Sequence, residues 1–158
     1  MEETRHRMKT LVLGMGNPIL SDDGVGLIVA RALEGNVPGI DVVTTEMVGL
    51  NVLDMLVGYD SVFVIDAATT KGKPFGDLHT LEEGEGSLHL FSSHGLNFLE
   101  LVQLAKEFGN KMPEVAVIYG IKIGDDVAFG EGLSAELDQK LDSIIERIRE
   151  DITSRLAN

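Results

Sequence analysis

The feature that most constrains the fold is a series of short apolar runs separated by amphipathic stretches. The strongest runs are residues 9–15 (KTLVLGM), 61–67 (SVFVIDA) and 114–119 (EVAVIY). Continuous apolar runs of this length are typical of parallel strands that are buried on both faces of a sheet. Between them, apolar residues recur at helical spacing, as in residues 24–33. Such alternation predicts βαβ units.

Weaker runs at residues 40–46 and 76–81 complete a set of about five strands. Helical stripes are predicted at residues 24–33, 52–56, 96–105 and 137–148. The expected fold class is therefore α/β, a three-layer α/β/α sandwich with a twisted, mostly parallel five-stranded sheet. We find no internal repeat and no linker rich in Pro, Gly or Ser, so residues 1–158 are predicted to form a single domain.

Composition excludes several classes of function. The chain has no cysteine, which excludes disulfides and thiol catalysis. Its 26 acidic and 13 basic residues give a net charge of −13, which argues against nucleic acid and anionic membranes as partners. No apolar run is long enough for a transmembrane helix or a secretory signal core, so we expect a cytoplasmic protein.

Three residues with polar side chains lie where predicted elements begin or end, at one edge of the sheet. Asp23 ends the loop after the first strand, Asp66 ends the third strand, and His94 precedes the long helix at residues 96–105. In open α/β sheets, ligands bind beyond the carboxyl ends of the strands. We therefore expect Asp23, Asp66 and His94 to converge on one rim.

The glycine-rich loop after the first strand does not predict a dinucleotide site. Gly14 and Gly16 supply the first two glycines of the fingerprint, but the third position is Ile19. The loop also ends in Asp22 and Asp23, which would repel a pyrophosphate at the helix start and would favour a cation.

Each of the three residues also has an ordinary structural explanation. Asp23 could cap the helix that follows, although Asp22 is the better candidate for that cap and would leave Asp23 facing the crevice. Asp66 could make a structural hydrogen bond, but a buried carboxylate without a cation or several donors is costly. A lone histidine such as His94 is often a surface residue, and His6, His79 and His89 have no comparable context. The convergence of the three residues favours function.

Two carboxylates and one imidazole form a mixed oxygen and nitrogen donor set. The start of a helix keeps an imidazole neutral, which is the form that binds a metal. Such a set is compatible with nickel, zinc, iron or manganese, and three protein ligands leave coordination positions open. The residues alone do not select one of these metals.

The combined motifs resemble those of the hydrogenase maturation endopeptidases. The resemblance extends from about Leu11 to Leu137, and the segments that carry it are Gly14-Met15-Gly16-Asn17, Asp22-Asp23-Gly24-Val25-Gly26, Asp66-Ala67 and Ser93-His94-Gly95-Leu96. It implies a five-stranded sheet with one antiparallel strand. It also implies removal of the C-terminal extension from a nickel-loaded nickel–iron hydrogenase large-subunit precursor.

The resemblance further implies that Asp23, Asp66 and His94 are both the metal-binding and the catalytic residues. The expected metal is a divalent ion, nickel presented by the substrate, so that the site is empty in the isolated protein. Some relatives carry Asp-x-Gly-Thr after the second strand, linked to the choice of substrate. Residues 44–49 (TTEMVG) depart from that motif, which leaves the partner hydrogenase open.

Several mechanisms and functions remain open at this point. The metal could polarise the scissile carbonyl or supply a water of lowered pKa, one aspartate could act as the base, or nickel could position the substrate alone. A non-catalytic metal-binding maturation chaperone on the same scaffold is the main alternative to a metal-dependent endopeptidase. A third is a hydrolase or phosphorylase of small molecules, because this fold class supports many chemistries.

Overall fold

The computed structural model describes residues 7–46, 51–69, 75–82, 98–124 and 128–158. The strands are β1 (Thr10–Met15), β2 (Ile40–Thr45), β3 (Ser61–Ala68), β4 (Leu78–Glu82) and β5 (Val115–Lys122). The helices are α1 (Val25–Leu33), α2 (Asn51–Asp54), α3 (Phe98–Glu107) and α4 (Ala135–Leu156), and a 3-10 turn at Ser21–Gly24 precedes α1.

The strands form one five-stranded sheet in the order β2-β1-β3-β5-β4. Strands β2, β1, β3 and β5 are parallel, and β4 pairs antiparallel with β5 at the edge. The predicted mostly parallel sheet is therefore confirmed, and the one antiparallel strand that the family resemblance implied is β4.

Helices cover both faces of the sheet, so the core consists of two clusters, one on each face. On one face, α1 and α4 pack against side chains that include Val12, Phe63 and Tyr119. On the other face, α2 and α3 pack against side chains that include Leu13 and Val64. Every residue of β1 and β3 is buried, as expected for central strands with a helical layer on each side.

Helix α4 closes the fold and carries a buried stripe of Leu137, Ile144, Ile148 and Ile152 at helical spacing. Ser134 caps its N-terminus, because the side-chain oxygen accepts the N–H of Leu137 at 3.4 Å. The helix is longer than predicted because its final turns are mostly polar and give a weaker apolar signal.

Among the residues described, no helix combines the length and the apolar character needed to cross a membrane.

A buried tyrosine anchors α4 to the sheet. Tyr119 has no exposed surface, and its hydroxyl donates to Oδ2 of Asp151 at 2.6 Å. The same oxygen accepts Nε of Arg155 at 2.8 Å, and Arg155 forms an ion pair with Glu82 on β4. Burial, followed by the hydrogen bond to Asp151, raises the pKa of Tyr119, so its hydroxyl remains a donor at physiological pH.

We expect Tyr119→Phe to lower the free energy of unfolding by about 1–2 kcal/mol, because it removes a donor from a partly buried carboxylate. Urea denaturation would measure the change. Tyr59→Phe is the matched control: the Tyr59 hydroxyl donates to Asp41 at 2.8 Å in an exposed position, so its removal should cost less than about 0.5 kcal/mol. Equal losses in the two variants would contradict the assigned role of Tyr119.

Candidate active site

The candidate site lies at the point where the strand order reverses. From β1 the chain proceeds to β2 on one side, and β3 then pairs with β1 on the other side. The connection from β1 to β2 passes through α1 on one face of the sheet, and the connection from β2 to β3 passes through α2 on the other face. This divergence opens a crevice beyond the carboxyl ends of β1 and β3. Asp23 and Asp66 both lie at this crevice.

Asp23 is held inside the loop that follows β1. It lies in the 3-10 turn and has no exposed surface. Its Oδ2 accepts the backbone N–H of Asn17 at 2.9 Å, which ties the end of the loop to its beginning. The carboxylate is therefore fixed in position before any ligand binds.

Asp66 lies near the end of β3 and is 5% exposed. Strand alternation places it on the same face as Val62 and Val64, which pack in the α2/α3 layer. Its Oδ1 accepts the N–H of the next residue, Ala67, at 2.8 Å. Within the described ranges, this single local hydrogen bond is little compensation for a buried carboxylate.

The carboxylate of Asp66 lies within the electrostatic influence of Asp23. Burial raises the pKa of Asp66 well above its ordinary value, and the nearby charge of Asp23 raises it further. The N–H of Ala67 opposes both effects by lowering the pKa. Two buried acids of this kind favour a bound proton or a bound cation, because either one relieves the repulsion.

Glycines allow the loop and α1 to approach the sheet closely. A Cβ atom on Gly26 would lie 2.3 Å from the carbonyl oxygen of Ile65 and 2.5 Å from that of Met15. A Cβ atom on Gly16, whose φ is +156°, would lie 2.3 Å from the carbonyl oxygen of Asp23. Gly16 and Gly26 thus set the spacing around both aspartates, a role that comparing Gly14 and Gly16 with the nucleotide fingerprint does not indicate.

The predicted helix-capping role of Asp22 is wrong. The N-cap of α1 is Gly24, and no side chain caps that helix. Oδ1 of Asp22 instead accepts the N–H of Ser134 at 2.7 Å. The 3-10 turn separates Asp22 from the start of α1 and directs its carboxylate to the segment before α4. Asp23 is buried, and its orientation towards the crevice stays a prediction.

The predicted third member, His94, lies outside the described residues, so its place in the site stays a prediction. Within the described part of the chain, no group of three His, Cys, Asp or Glu residues could hold a metal ion. The structure brings Asp23 and Asp66 close together, and the metal site stays a prediction.

His79, to which the sequence analysis gave no role, lies in the same cross-strand row as Asp66. His79 pairs with Gly120, and Gly120 pairs with Asp66. Paired residues share a face, so both side chains lie on the α2/α3 side, with a glycine between them. This placement follows from strand register, which the sequence pattern did not specify.

A family model and several known proteins resemble this chain. The model described as HycI, hydrogenase maturation protease, matches residues 3–151. The hydrogenase 2 maturation protease of Escherichia coli K12 is 22% identical over 152 residues, covering 90% of this chain and 92% of the relative.

Solved structures show the same fold. The hydrogenase maturating endopeptidase HybD from Escherichia coli is 21% identical, with a TM-score of 0.72, and the match covers 89% of this chain and 90% of that one. The NiFe hydrogenase maturation protease HybD from Thermococcus kodakarensis is 23% identical, with a TM-score of 0.71, and the match covers 92% and 99%.

Proposed function

Because the chain belongs to the hydrogenase maturation protease family, and is thus a hydrolase of peptide bonds, we propose that it removes the C-terminal extension of a hydrogenase large-subunit precursor. The precursor is cleaved in its nickel-loaded form, in the cytoplasm. The names of its relatives, which include a hydrogenase 2 maturation protease, support this substrate. The similarity covers nearly the full length of both chains, so the comparison concerns the whole domain.

The observation that carries the proposal is the buried pair Asp23 and Asp66. Two carboxylates with no more than 5% exposure meet at the switch point of the sheet. Packing alone would favour apolar residues there, because burying two acids side by side destabilises the fold. Buried acids that destabilise the fold in this way are typical of functional sites.

The donor chemistry of the pair fits a divalent cation. Carboxylate oxygens from Asp23 and Asp66, with an imidazole nitrogen from His94, would hold nickel that arrives with the precursor. When bound there, the metal would supply Lewis-acid polarisation of the scissile carbonyl. Recognition of nickel as part of the substrate would make cleavage depend on correct loading.

The protein's own residues then have separate tasks. Asp23 is immobilised by the N–H of Asn17 and serves as a preorganised ligand. Asp66 has a raised pKa in the absence of a cation, because it is buried beside Asp23; a divalent ion that arrives with the precursor would displace that proton and be held by the ionised carboxylate. Because Asp23 is fixed in the 3-10 turn after β1 and Asp66 on β3, little reorganisation is needed when substrate binds.

The test is incubation of the purified protein with the precursor in nickel-loaded and nickel-free forms, followed by intact mass measurement. We expect loss of a C-terminal peptide from the nickel-loaded form alone. His94→Ala and Asp23→Asn should each reduce the rate by at least about 100-fold, because each removes a ligand of the substrate's metal. Asp54→Asn, at an exposed position on α2, is the control and should cleave at the rate of the unmodified protein.

Each other outcome has a distinct meaning. Cleavage that does not depend on nickel and survives His94→Ala would reject the metal mechanism and favour an aspartic-type reaction of the carboxylate pair. Tight binding of the precursor without any mass change would favour the non-catalytic maturation chaperone. Turnover of a small substrate with no action on precursor would reject the proposed substrate class.

A further inference from the structure

The segment before α4 is fastened to the loop that carries Asp23. The N–H of Ser21 donates to the carbonyl of Gly130, and the N–H of Gly130 donates to the carbonyl of Ile19, both at 2.9 Å. The Ser21 hydroxyl also donates to the carbonyl of Gly132 at 3.0 Å. Ser21 adopts a φ of +47°, which is costly for a non-glycine residue. These bonds join two distant parts of the chain, residues 19–21 and 129–132, into one surface that we call the rim.

Two large apolar side chains are exposed on this rim. The parallel bridge between Leu20 and Gly130 places the preceding residues, Ile19 and Phe129, next to each other. Ile19 is 53% exposed and Phe129 is 86% exposed. Single exposed apolar residues are common, but an adjacent pair held by backbone hydrogen bonds beside an active site is a typical contact surface.

A cavity of about 410 Å³ adjoins the same rim. Its apolar lining includes Phe75, Ile123 and Ala128, and its acidic lining is Asp22 and Glu136. Among its lining residues within the described ranges, neither Lys nor Arg occurs. A basic side chain with a long aliphatic stem would match both the apolar surface and the carboxylates.

The rim and the cavity are continuous with the candidate active site. Asp22 lines the cavity and is the neighbour of Asp23 in the 3-10 turn. On the other side, the N–H of Ile123 donates to the carbonyl of Ala68 at 2.9 Å, two residues beyond Asp66. A polypeptide bound along this surface would pass beside the loop that carries Asp23 and the end of β3.

We propose that Ile19, Phe129 and the adjoining acidic cavity form the docking surface for the substrate segment next to the cleaved bond, a segment carrying an apolar and a basic side chain. The apolar side chain contacts Ile19 and Phe129, and the basic side chain enters the cavity towards Asp22 and Glu136. The net charge of −13 attracts such a segment over a longer range. This inference rests on the proposed proteolysis and specifies how its substrate is recognised.

The first test compares cleavage kinetics of the nickel-loaded precursor by Phe129→Ala and Glu136→Gln. We expect each to raise KM by about tenfold with little change in kcat, because the contacts form before the reaction and persist through it. Phe108→Ala removes a 78% exposed aromatic ring from the end of α3. Asp138→Asn removes another acid from the first turn of α4. Both controls should keep the original KM.

A charge exchange tests the chemistry of the occupant. Replacing the Lys or Arg of the precursor nearest the cleaved bond with Glu should raise KM for the unmodified enzyme. Glu136→Lys should then restore at least part of the loss, since it places a cation where the substrate now carries an anion. High salt should raise KM for the original pair, and less so for Glu136→Gln.

The outcomes separate this inference from the proposed function. If the unmodified protein cleaves the precursor and both surface variants match the controls in KM, the docking surface is rejected and the proteolysis stands. If no cleavage occurs, the dissociation constant of the precursor is measured for the same variants. Weaker binding by Phe129→Ala and Glu136→Gln would retain the surface without proteolysis, and unchanged or absent binding would overturn it.

Discussion

Replacing Gly26 with alanine is expected to destabilise the protein by roughly 3 kcal/mol or more and to abolish cleavage. The added Cβ would lie 2.3 Å from the carbonyl oxygen of Ile65 and 2.5 Å from that of Met15. Both contacts are with backbone atoms of buried strands, so neither can move aside without displacing β1 or β3. Because Asp66 follows Ile65 directly, the displacement would also disturb the carboxylate pair.

Helix propensity acts in the opposite direction and is smaller. Gly26 lies in the first turn of α1, where alanine would be favoured over glycine by no more than about 1 kcal/mol. A contact under 2.5 Å with immobile backbone outweighs this gain. The expected sign is therefore destabilisation, although a comparison of helix-forming tendencies alone would give the opposite.

Urea denaturation followed by circular dichroism would measure the change in the free energy of unfolding. Gly124→Ala is the control for stability, since its nearest contact would be an ordinary 3.7 Å to the ring of Phe75, and it should change stability by less than about 0.5 kcal/mol. A Gly26→Ala protein as stable as the original would show that α1 can withdraw from the sheet, and the close-packing account would be wrong.

Asp66→Asn is expected to remove activity while preserving or increasing stability. The amide keeps an oxygen that can accept the N–H of Ala67, but it cannot ionise and is a poor metal ligand. We expect cleavage of the nickel-loaded precursor to fall by at least about 100-fold. Stability should not fall with it, because the substitution removes one of two buried charges.

The stability effect should depend on pH in a defined direction. Burial and the neighbouring Asp23 raise the pKa of Asp66 in the folded protein. The folded protein therefore binds the Asp66 proton more tightly than the unfolded chain does, and protonation stabilises the fold. This stabilisation is fully present at a pH below the pKa of Asp66 in the unfolded chain. It is lost as the pH rises through the higher pKa of the folded protein. The stability advantage of Asp66→Asn should therefore be small in acid and grow as the pH rises.

Thermal unfolding of both proteins across a pH series would measure this difference, with Asp54→Asn as an exposed carboxylate control. A Tm difference that shrinks with rising pH would contradict the raised pKa of Asp66. Retention of cleavage by Asp66→Asn would contradict its place in the active site, whatever the stability result.

Much of the architecture could be predicted from the sequence because it depends on local patterns. The runs at residues 9–15, 61–67 and 114–119 overlap β1, β3 and β5. A continuous apolar run predicts a buried strand even when the strands that pair with it are unknown. Element ends were less predictable. Strand β5 continues to Lys122 and α4 to Leu156, because polar residues at the ends of elements weaken the periodic signal while backbone hydrogen bonds continue the element.

The site was partly predictable for the same reason. A carboxylate after a buried strand is visible in the sequence, and the topology of parallel strands places such residues at one edge, so Asp23 and Asp66 could be named. The role of Asp22 could not be predicted, since its partner Ser134 is 112 residues away in the chain. Local rules assign an aspartate to the nearest helix start, and a long-range hydrogen bond overrides that assignment.

The sequence by itself thus determined the α/β class, the strands that would be buried, the family and the candidate residues, because each of these is encoded in short-range order. The tertiary structure decided which segments meet: the coupling of Asp23 with Asp66, the contact of Gly26 with two strands, and the rim that joins Ile19 to Phe129. These depend on distances between residues remote in the chain, which are fixed when the sheet order and the close packing of its layers are established together.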